Sequence, residues 1–206
     1  MSHLQESKVS HRTREHDIRD SDLRLMRMPD VTVRIAEWGR EYPILLTLQG
    51  RTGALSTALR EFGSMCLRAE NYELAAEVFL ASVSMKPDDC WLWRNLSCAY
   101  QGAANQTLAL RSIRRALDLD NSHAELWMQY GVLLRDMGQA KPAEGAFICT
   151  IALDSENIEA RYALASLLMD SGRFSEAADL FEVCLRADPS DRLSRAKLEH
   201  ARNMSG

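Results

Sequence analysis

The sequence has few residues that interrupt helices, since its 206 positions include five prolines and ten glycines. This scarcity permits long helices and disfavours folds made of many short strands joined by turns. Apolar runs are short as well, and none approaches the roughly 20 residues that cross a bilayer. Residues 1–17 lack the apolar core of a secretory signal. The sequence therefore predicts a cytoplasmic protein that does not insert into membranes.

An excess of positive charge is also missing. The 25 Lys and Arg residues are outnumbered by 29 Asp and Glu, which gives a net charge of −4 and a pI of about 5.8. General nucleic-acid binding needs a basic face that displaces counterions from phosphate, so we expect no nucleic-acid partner. Apolar residues make up 46% and charged residues 26%. That balance is typical of a globular protein with a substantial core.

The cysteines lack the spacing of metal or disulfide sites. They number five, an odd count, and no two of them form a CxxC pair. We expect them to be small buried apolar residues in a reducing compartment rather than ligands or bridges. They are Cys66, Cys90, Cys98, Cys149 and Cys184.

Motifs of catalysis and of nucleotide or metal binding are absent from the sequence. It contains no GxxxxGK[ST] loop, no GxGxxG after a strand, no HExxH and no GxSxG. His123 and His200 have no obvious Ser or Cys partner in the sequence pattern. We therefore expect a protein that is not an enzyme and has no catalytic residues, no metal and no cofactor.

What the sequence does contain is an internal repeat. Four alanines stand 34 residues apart, and a large apolar residue follows each of them after four positions. A slot with the same period holds tryptophan twice, and another slot is always small, which suits close packing of two helices. The alanines are Ala75, Ala109, Ala143 and Ala177; the residues that follow are Phe79, Ile113, Phe147 and Phe181; the tryptophans are Trp93 and Trp127; the small residues are Gly63, Ser97, Gly131 and Ala165.

Within each period the residues predict two helices and a turn. Trp93, Leu96 and Tyr100 fall at i, i+3 and i+7, so they share one face of a first helix. Gly138 and Gly172 suit the turn between the two helices, and we expect Asn71 to serve there in the first unit.

Together these residues resemble the tetratricopeptide repeat, whose pattern is Trp, Leu-Gly, Tyr, Ala, Phe, Ala and Pro. The resemblance covers about two thirds of the chain and implies an all-α, right-handed superhelix of antiparallel helix pairs. It divides the chain into the units 56–89, 90–123, 124–157 and 158–191.

The N-terminal segment does not continue the repeat. Residues 1–29 are rich in both charge signs and bury too little apolar surface, so we expect a mobile charged tail. Residues 30–55 are more apolar, but Pro29 and Pro43 would lie inside the helices of a further repeat. This segment is either an N-terminal cap or an oligomerisation element.

Residues 192–206 predict a C-terminal capping helix and tail. A stacked array leaves its last apolar face bare, and a helix with a polar outer side covers it. We expect Leu193, Ala196 and Leu198 to form its apolar side.

The resemblance implies a partner-binding groove on the concave face, lined by the first helix of each unit. Aromatic and methionine side chains beside arginines and amides are typical of binding hot spots. Three alternatives leave the groove closed: Trp91 packs on a neighbouring repeat, Met169 lies under the C-terminal helix, or the N-terminal segment occupies the groove. The candidate residues are Arg60, Ser64, Trp91, Arg94, Asn95, Cys98, Met128, Gln129, Val132, Arg135, Tyr162, Ser166 and Met169.

Some members of this family clamp the terminal carboxylate of a partner with basic residues in consecutive units. Here Glu125 and Gln129 stand where two basic residues belong, and a carboxylate near Glu125 meets like charge. The sequence thus predicts an extended or helical peptide with apolar anchors rather than a chaperone tail.

These features favour a non-catalytic adaptor or scaffold that binds a protein or peptide segment. Two alternatives stay open. The size and layout are similar to those of the class II chaperones of bacterial type III secretion, and a regulatory subunit of an enzyme complex is the other. Self-association into a homo-oligomer is also open, since groove residues can pack against a second copy.

Overall fold

A computed structural model describes residues 31–40, 44–47 and 51–205, and all regular structure in those ranges is helical. The helices are α1 (Val31–Trp38), α2 (Ile44–Thr47), α3 (Thr52–Arg68), α4 (Tyr72–Met85), α5 (Cys90–Gly102), α6 (Gln106–Leu119), α7 (Ala124–Asp136), α8 (Ala140–Leu153), α9 (Ile158–Asp170), α10 (Phe174–Ala187) and α11 (Arg192–Ser205).

From α3 onward the helices form four antiparallel pairs, α3/α4, α5/α6, α7/α8 and α9/α10, which stack in chain order. The turns inside the pairs are short, so each chain reversal brings the second helix back against the first. Each second helix also packs against the first helix of the next pair. This arrangement is a right-handed superhelix of helix pairs, as predicted. None of the helices in the described ranges is long and apolar enough to cross a membrane.

The invariant alanines and the large apolar residues form the core between the helices of each pair. Ala75, Ala109, Ala143 and Ala177 are fully buried, and so are Phe79, Ile113, Phe147 and Phe181. A Cβ on Gly63 would stand 2.7 Å from the ring of Phe79, and one on Gly131 would stand 2.6 Å from the ring of Phe147. The small slot is therefore the point at which the second helix's aromatic ring meets the first helix.

The tight turn inside each pair depends on one residue in the left-handed region. The residue is Glu70, Ala104, Gly138 or Gly172, with φ between 57° and 74°. Asn71 lies in this turn, as expected, one position after the left-handed Glu70. There it caps α4, and its side chain accepts a hydrogen bond from the Leu74 amide.

The tryptophan slot has a shared function at the start of α5, α7 and α9. Trp93 Nε1 donates to the Pro87 carbonyl and Trp127 Nε1 to the Asn121 carbonyl, both at 2.8 Å. In the same slot further along, a guanidinium replaces the indole, and Arg161 donates to the Ser155 carbonyl. In α11, Arg195 likewise donates to the Pro189 carbonyl. The C-terminal helix therefore continues the register of the first helices.

That register also determines which side of α11 is buried. Ser194, Leu198 and Ala201 face the core, whereas Leu193 is 58% exposed and Ala196 is exposed. The expected apolar side was wrong for Leu193 and Ala196. The buried positions follow the spacing i, i+4, i+7, which excludes both residues from the side that packs on α10.

Two short helices precede the repeats and contact the first pair. Trp38 and Leu45 are buried, and the Trp38 ring lies 6.5 Å from that of Phe62. Arg34 Nη2 forms an ion pair with Glu77 Oε1 at 3.3 Å. The charged tail predicted for residues 1–29 lies outside the described residues, as does Pro43.

The turn before α11 offers a pH test. The hydroxyl of Ser190, at 2.7 Å, and its amide, at 2.9 Å, both donate to Asp188 and lower the pKa of that carboxyl. A carboxyl with a lowered folded pKa contributes stability above its unfolded pKa, and this contribution is lost as pH falls through the folded pKa. We expect wild type to exceed Asp188→Asn in urea resistance at neutral pH, with the difference shrinking in acid. A pH-independent difference would contradict this account.

Candidate functional site

The candidate groove is the surface formed by the first helices α3, α5, α7 and α9. Its predicted residues are neither fully buried nor, with two exceptions, fully exposed. Arg60 and Arg135 are the exposed pair, and the Arg135 guanidinium binds the Asp136 carboxylate at 2.9 Å. The partly buried candidates are Ser64, Trp91, Arg94, Asn95, Cys98, Met128, Gln129, Val132, Tyr162, Ser166 and Met169.

A shallow pocket of about 360 Å³ lies between α3 and α5. Three of the predicted residues line it, namely Arg60, Ser64 and Asn95, together with Glu61, Met65 and Arg68. Met65 is 43% exposed although it is apolar. The pocket thus combines two cationic side chains, one carboxylate, an amide and an exposed thioether at the N-terminal end of the groove.

The centre of the groove holds a contact between neighbouring first helices. Gln129 Nε2 on α7 donates to Cys98 Sγ on α5 at 3.2 Å. Burial raises the pKa of Cys98, while Arg94 and Gln129 act in the opposite direction. The raised pKa favours the protonated form, so Cys98 is a partly buried thiol rather than an activated nucleophile.

Two polar atoms at this centre have no partner. In the part of the chain that the structure describes, Arg94 Nε and Gln129 Oε1 are buried and make no hydrogen bond. The first is a donor and the second an acceptor. Leaving such groups unpaired costs free energy.

Trp91 packs on the last residue of its own unit and keeps part of its surface open. Its ring lies 4.8 Å from the imidazole of His123, which precedes α7, and the Arg94 guanidinium lies 5.9 Å from its centroid. The side chain is partly buried. Trp91 thus packs on His123, the residue that closes its own unit, and its remaining surface borders the groove.

The C-terminal end of the groove includes a residue that the sequence prediction omitted. Lys197 of α11 lies with Nζ 5.4 Å from the Tyr162 ring centroid and 3.2 Å from Ser166 Oγ. The Tyr162 ring also packs edge-on against Phe181 at 5.7 Å. Lys197 could have been found from the 34-residue frame, which places it two periods after Gln129.

The apolar candidates Met128, Val132 and Met169 are packed against the core and partly buried. Each therefore offers a portion of its side chain, rather than a whole one, to a ligand. Glu125 is exposed at the start of α7, where it places negative charge at the edge of the groove.

A second group of polar side chains lies beside the groove. Cys90, Asp120 and His123 bring their ligand-type atoms within 4.8 Å of one another. The expectation that His123 has no Cys partner was wrong. The period hides this proximity because the three residues stand at different positions of one unit, where the end of α6 returns to the start of α5.

This architecture is that of a helical-repeat scaffold for protein–protein interaction. The tetratricopeptide-repeat family model matches residues 133–192. Residues 133–192 therefore consist of tetratricopeptide repeats.

The chain is also similar to two relatives in sequence and to two solved structures in fold. The tetratricopeptide repeat-containing protein trd-1 of Caenorhabditis elegans is 28% identical over 85 residues, which are 41% of this chain and 11% of trd-1. Protein FlbA of Caulobacter vibrioides is 24% identical over 181 residues, 80% of this chain and 30% of FlbA. The chain thus spans less than a third of either relative.

The crystal structure of MamA superposes with a TM-score of 0.70 at 18% identity, covering 76% of this chain and 84% of MamA. That of YrrB superposes with a TM-score of 0.68 at 15% identity, covering 78% of this chain and 83% of YrrB.

Proposed function

We propose that this protein is a non-catalytic cytoplasmic adaptor whose groove binds an extended segment of a partner protein. The observation that carries the proposal is the pair of unpartnered buried atoms, Arg94 Nε and Gln129 Oε1. An extended peptide exposes one carbonyl acceptor and one amide donor per residue, which is the complement of this pair. A helical ligand has already paired those groups within its own backbone.

Flanking side chains supply the remaining contacts. Trp91 on one side and Tyr162 on the other are partly exposed rings with a cation nearby, Arg94 and Lys197 respectively. Partly buried aromatic rings accept apolar side chains of a peptide at low entropic cost. The proposed ligand therefore carries apolar anchors on either side of the backbone contact.

The charges at the groove argue against an acidic tail at its centre. The first repeat domain of Spaghetti (RPAP3), which superposes with a TM-score of 0.54 at 18% identity, is bound to the HSP90 peptide SRMEEVD. In the present chain Glu125 is exposed at the edge of the groove and repels a carboxylate placed there. Our proposal is thus an internal, apolar segment rather than an acidic C-terminus.

The test is selection from a random linear peptide library, followed by affinity measurements on the selected peptide. Arg94→Met and Gln129→Leu keep much of the side-chain volume but remove the proposed hydrogen bonds. We expect Arg94→Met to weaken binding by about 1.5–3 kcal/mol, which raises the dissociation constant roughly 10–150-fold. We expect Gln129→Leu to weaken binding by about 1 kcal/mol, which raises it about fivefold.

Matched controls lie on α6, a second helix. Gln106→Leu and Arg111→Met make the same chemical changes at exposed positions outside the groove. They should leave the affinity unchanged. Equal losses in the groove and control variants, or no selected peptide at all, would refute the proposal. A partner that stays insoluble without this protein would identify a chaperone instead of an adaptor.

A further inference from the structure

A thiol, a carboxylate and an imidazole converge where the second unit meets the third. Cys90 is the first residue of α5, Asp120 follows α6, and His123 precedes α7. One ligand-type atom from each lies within 4.8 Å of the other two. The His123 Nε2 and Asp120 Oδ2 atoms are 3.1 Å apart.

Neighbouring residues hold the Asp120 carboxylate and the His123 imidazole in place. Asp120 Oδ1 accepts hydrogen bonds from the amide and hydroxyl of Ser122, at 2.9 and 2.7 Å, which leaves Oδ2 directed to His123. The Trp91 ring packs on the imidazole at 4.8 Å. A metal ligand is commonly held by such outer contacts, which fix its orientation before the ion arrives.

His123 does not serve the helix that it precedes. It occupies the N-cap position of α7 but makes no side-chain capping hydrogen bond. Asp89 and Asn157 occupy the same position in the neighbouring units, and both cap their helices through a side-chain oxygen. A side-chain cap stabilises the start of a helix. The chain thus places an imidazole where its own pattern favours an Asp or Asn cap.

The combination occurs at one junction of the repeat. In the other units the three corresponding positions hold neither a cysteine nor a histidine. The equivalent triplets are Ser56, Lys86 and Asp89; Ala124, Asp154 and Asn157; and Ile158, Asp188 and Asp191.

We propose that Cys90, Asp120 and His123 bind a zinc ion through three protein ligands, leaving a fourth tetrahedral position for water or an external ligand. Zinc accepts sulfur, nitrogen and oxygen ligands together, at about 2.3, 2.0–2.1 and 2.0–2.2 Å. A thiolate and an imidazole also disfavour magnesium and calcium, which prefer oxygen ligands.

The ion would lie between two partly accessible side chains and one buried thiol. The side chains of His123 and Asp120 are 37% and 41% exposed, so an ion can reach them from solvent, whereas Cys90 is 8% exposed. Zinc binds the thiolate, so the Cys90 Sγ–H bond breaks on binding and its proton passes to solvent. The ion would then link the start of α5 to the start of α7 beside Trp91.

Cobalt(II) is the probe, because a cobalt–thiolate bond gives a charge-transfer band in the near ultraviolet that carboxylates and imidazoles alone do not give. We expect the full chain, without an affinity tag, to bind one cobalt ion with this band and with the visible bands of tetrahedral coordination. Added zinc should abolish both sets of bands and raise the melting temperature.

The variants separate ligand loss from misfolding. Cys90→Ala introduces the residue that the third unit has at the same position, Ala124. His123→Asn introduces the residue that caps α9, Asn157, so both variants should fold. We expect Cys90→Ala to lose the charge-transfer band and His123→Asn to bind cobalt more than 10-fold more weakly, since even an outer-shell change costs roughly 10–100-fold. The controls Cys149→Ser and His200→Gln should retain both. A missing band in wild type, or a band that survives Cys90→Ala, would overturn the proposal.

Discussion

Replacing Phe147 with Ala should lower the free energy of unfolding by about 3–5 kcal/mol, the range for a fully buried phenylalanine. Phe147 is 0% exposed, and its ring fills the space above Gly131 on the facing helix. No flexible side chain projects from that glycine to close the cavity that the truncation leaves. The loss therefore includes both the transfer free energy of the ring and the cost of the cavity.

The next residue supplies the control. Ile148 is 50% exposed, so Ile148→Ala on the same helix should change stability by no more than about 0.5 kcal/mol. Urea unfolding followed by circular dichroism measures both variants. A small loss for Phe147→Ala, close to that of Ile148→Ala, would contradict the packing described for the third pair.

Phe147 lies in an internal pair of the array, so its replacement should also affect the cooperativity of unfolding. In stacked repeats each unit contacts its neighbours alone, and the stability of the array depends on those interfaces. The third pair, α7/α8, lies between α5/α6 and α9/α10. Loosening it should reduce cooperativity, which would appear as a lower urea m-value or as a transition in two steps.

The repeated contacts were predictable from the sequence because their signal occurs four times. The alanine series and the large apolar residues that follow it are all buried, as the 34-residue period predicts. A substitution within a repeated position weakens the sequence signal, but the hydrogen bond made from that position can persist. Arg161 replaces an indole and still reaches a carbonyl six residues earlier, an outcome that the residue type alone does not predict.

Positions whose residue type departs from the expected one, and contacts that occur once, could not be predicted in this way. Glu70 and Ala104 adopt φ of 57° because the helices on either side fix the turn, although glycine is the residue that sequence reasoning expects there. The proximity of Cys90 to His123 likewise depends on how one pair packs on the next. The candidate groove was predictable in part. Its positions follow from the 34-residue period, whereas its unpaired atoms depend on how two particular helices pack.

Replacing Gly131 with Leu should destabilise the protein by about 1–3 kcal/mol, the typical cost of inserting methylenes into a packed core. A Cβ at this position would already stand 2.6 Å from the Phe147 ring, a separation that requires the ring to move. The matched control is Gly145→Ala on α8, where a Cβ meets nothing within 4 Å. That change should stabilise the helix by roughly 0.5–1 kcal/mol, because alanine loses less backbone entropy than glycine.

The two large effects should partly cancel when they are combined. The second unit already shows a compensated pair, with the larger Ser97 opposite the smaller Ile113, and the Ser97 hydroxyl donates to the Ala109 carbonyl at 2.8 Å. In Gly131→Leu/Phe147→Ala the new side chain enters the space that the ring leaves. We expect the double variant to be more stable than the sum of the single losses by at least about 1 kcal/mol. Simple additivity in urea unfolding would show that the glycine and the ring are not in the direct contact on which the repeat's close helix packing depends.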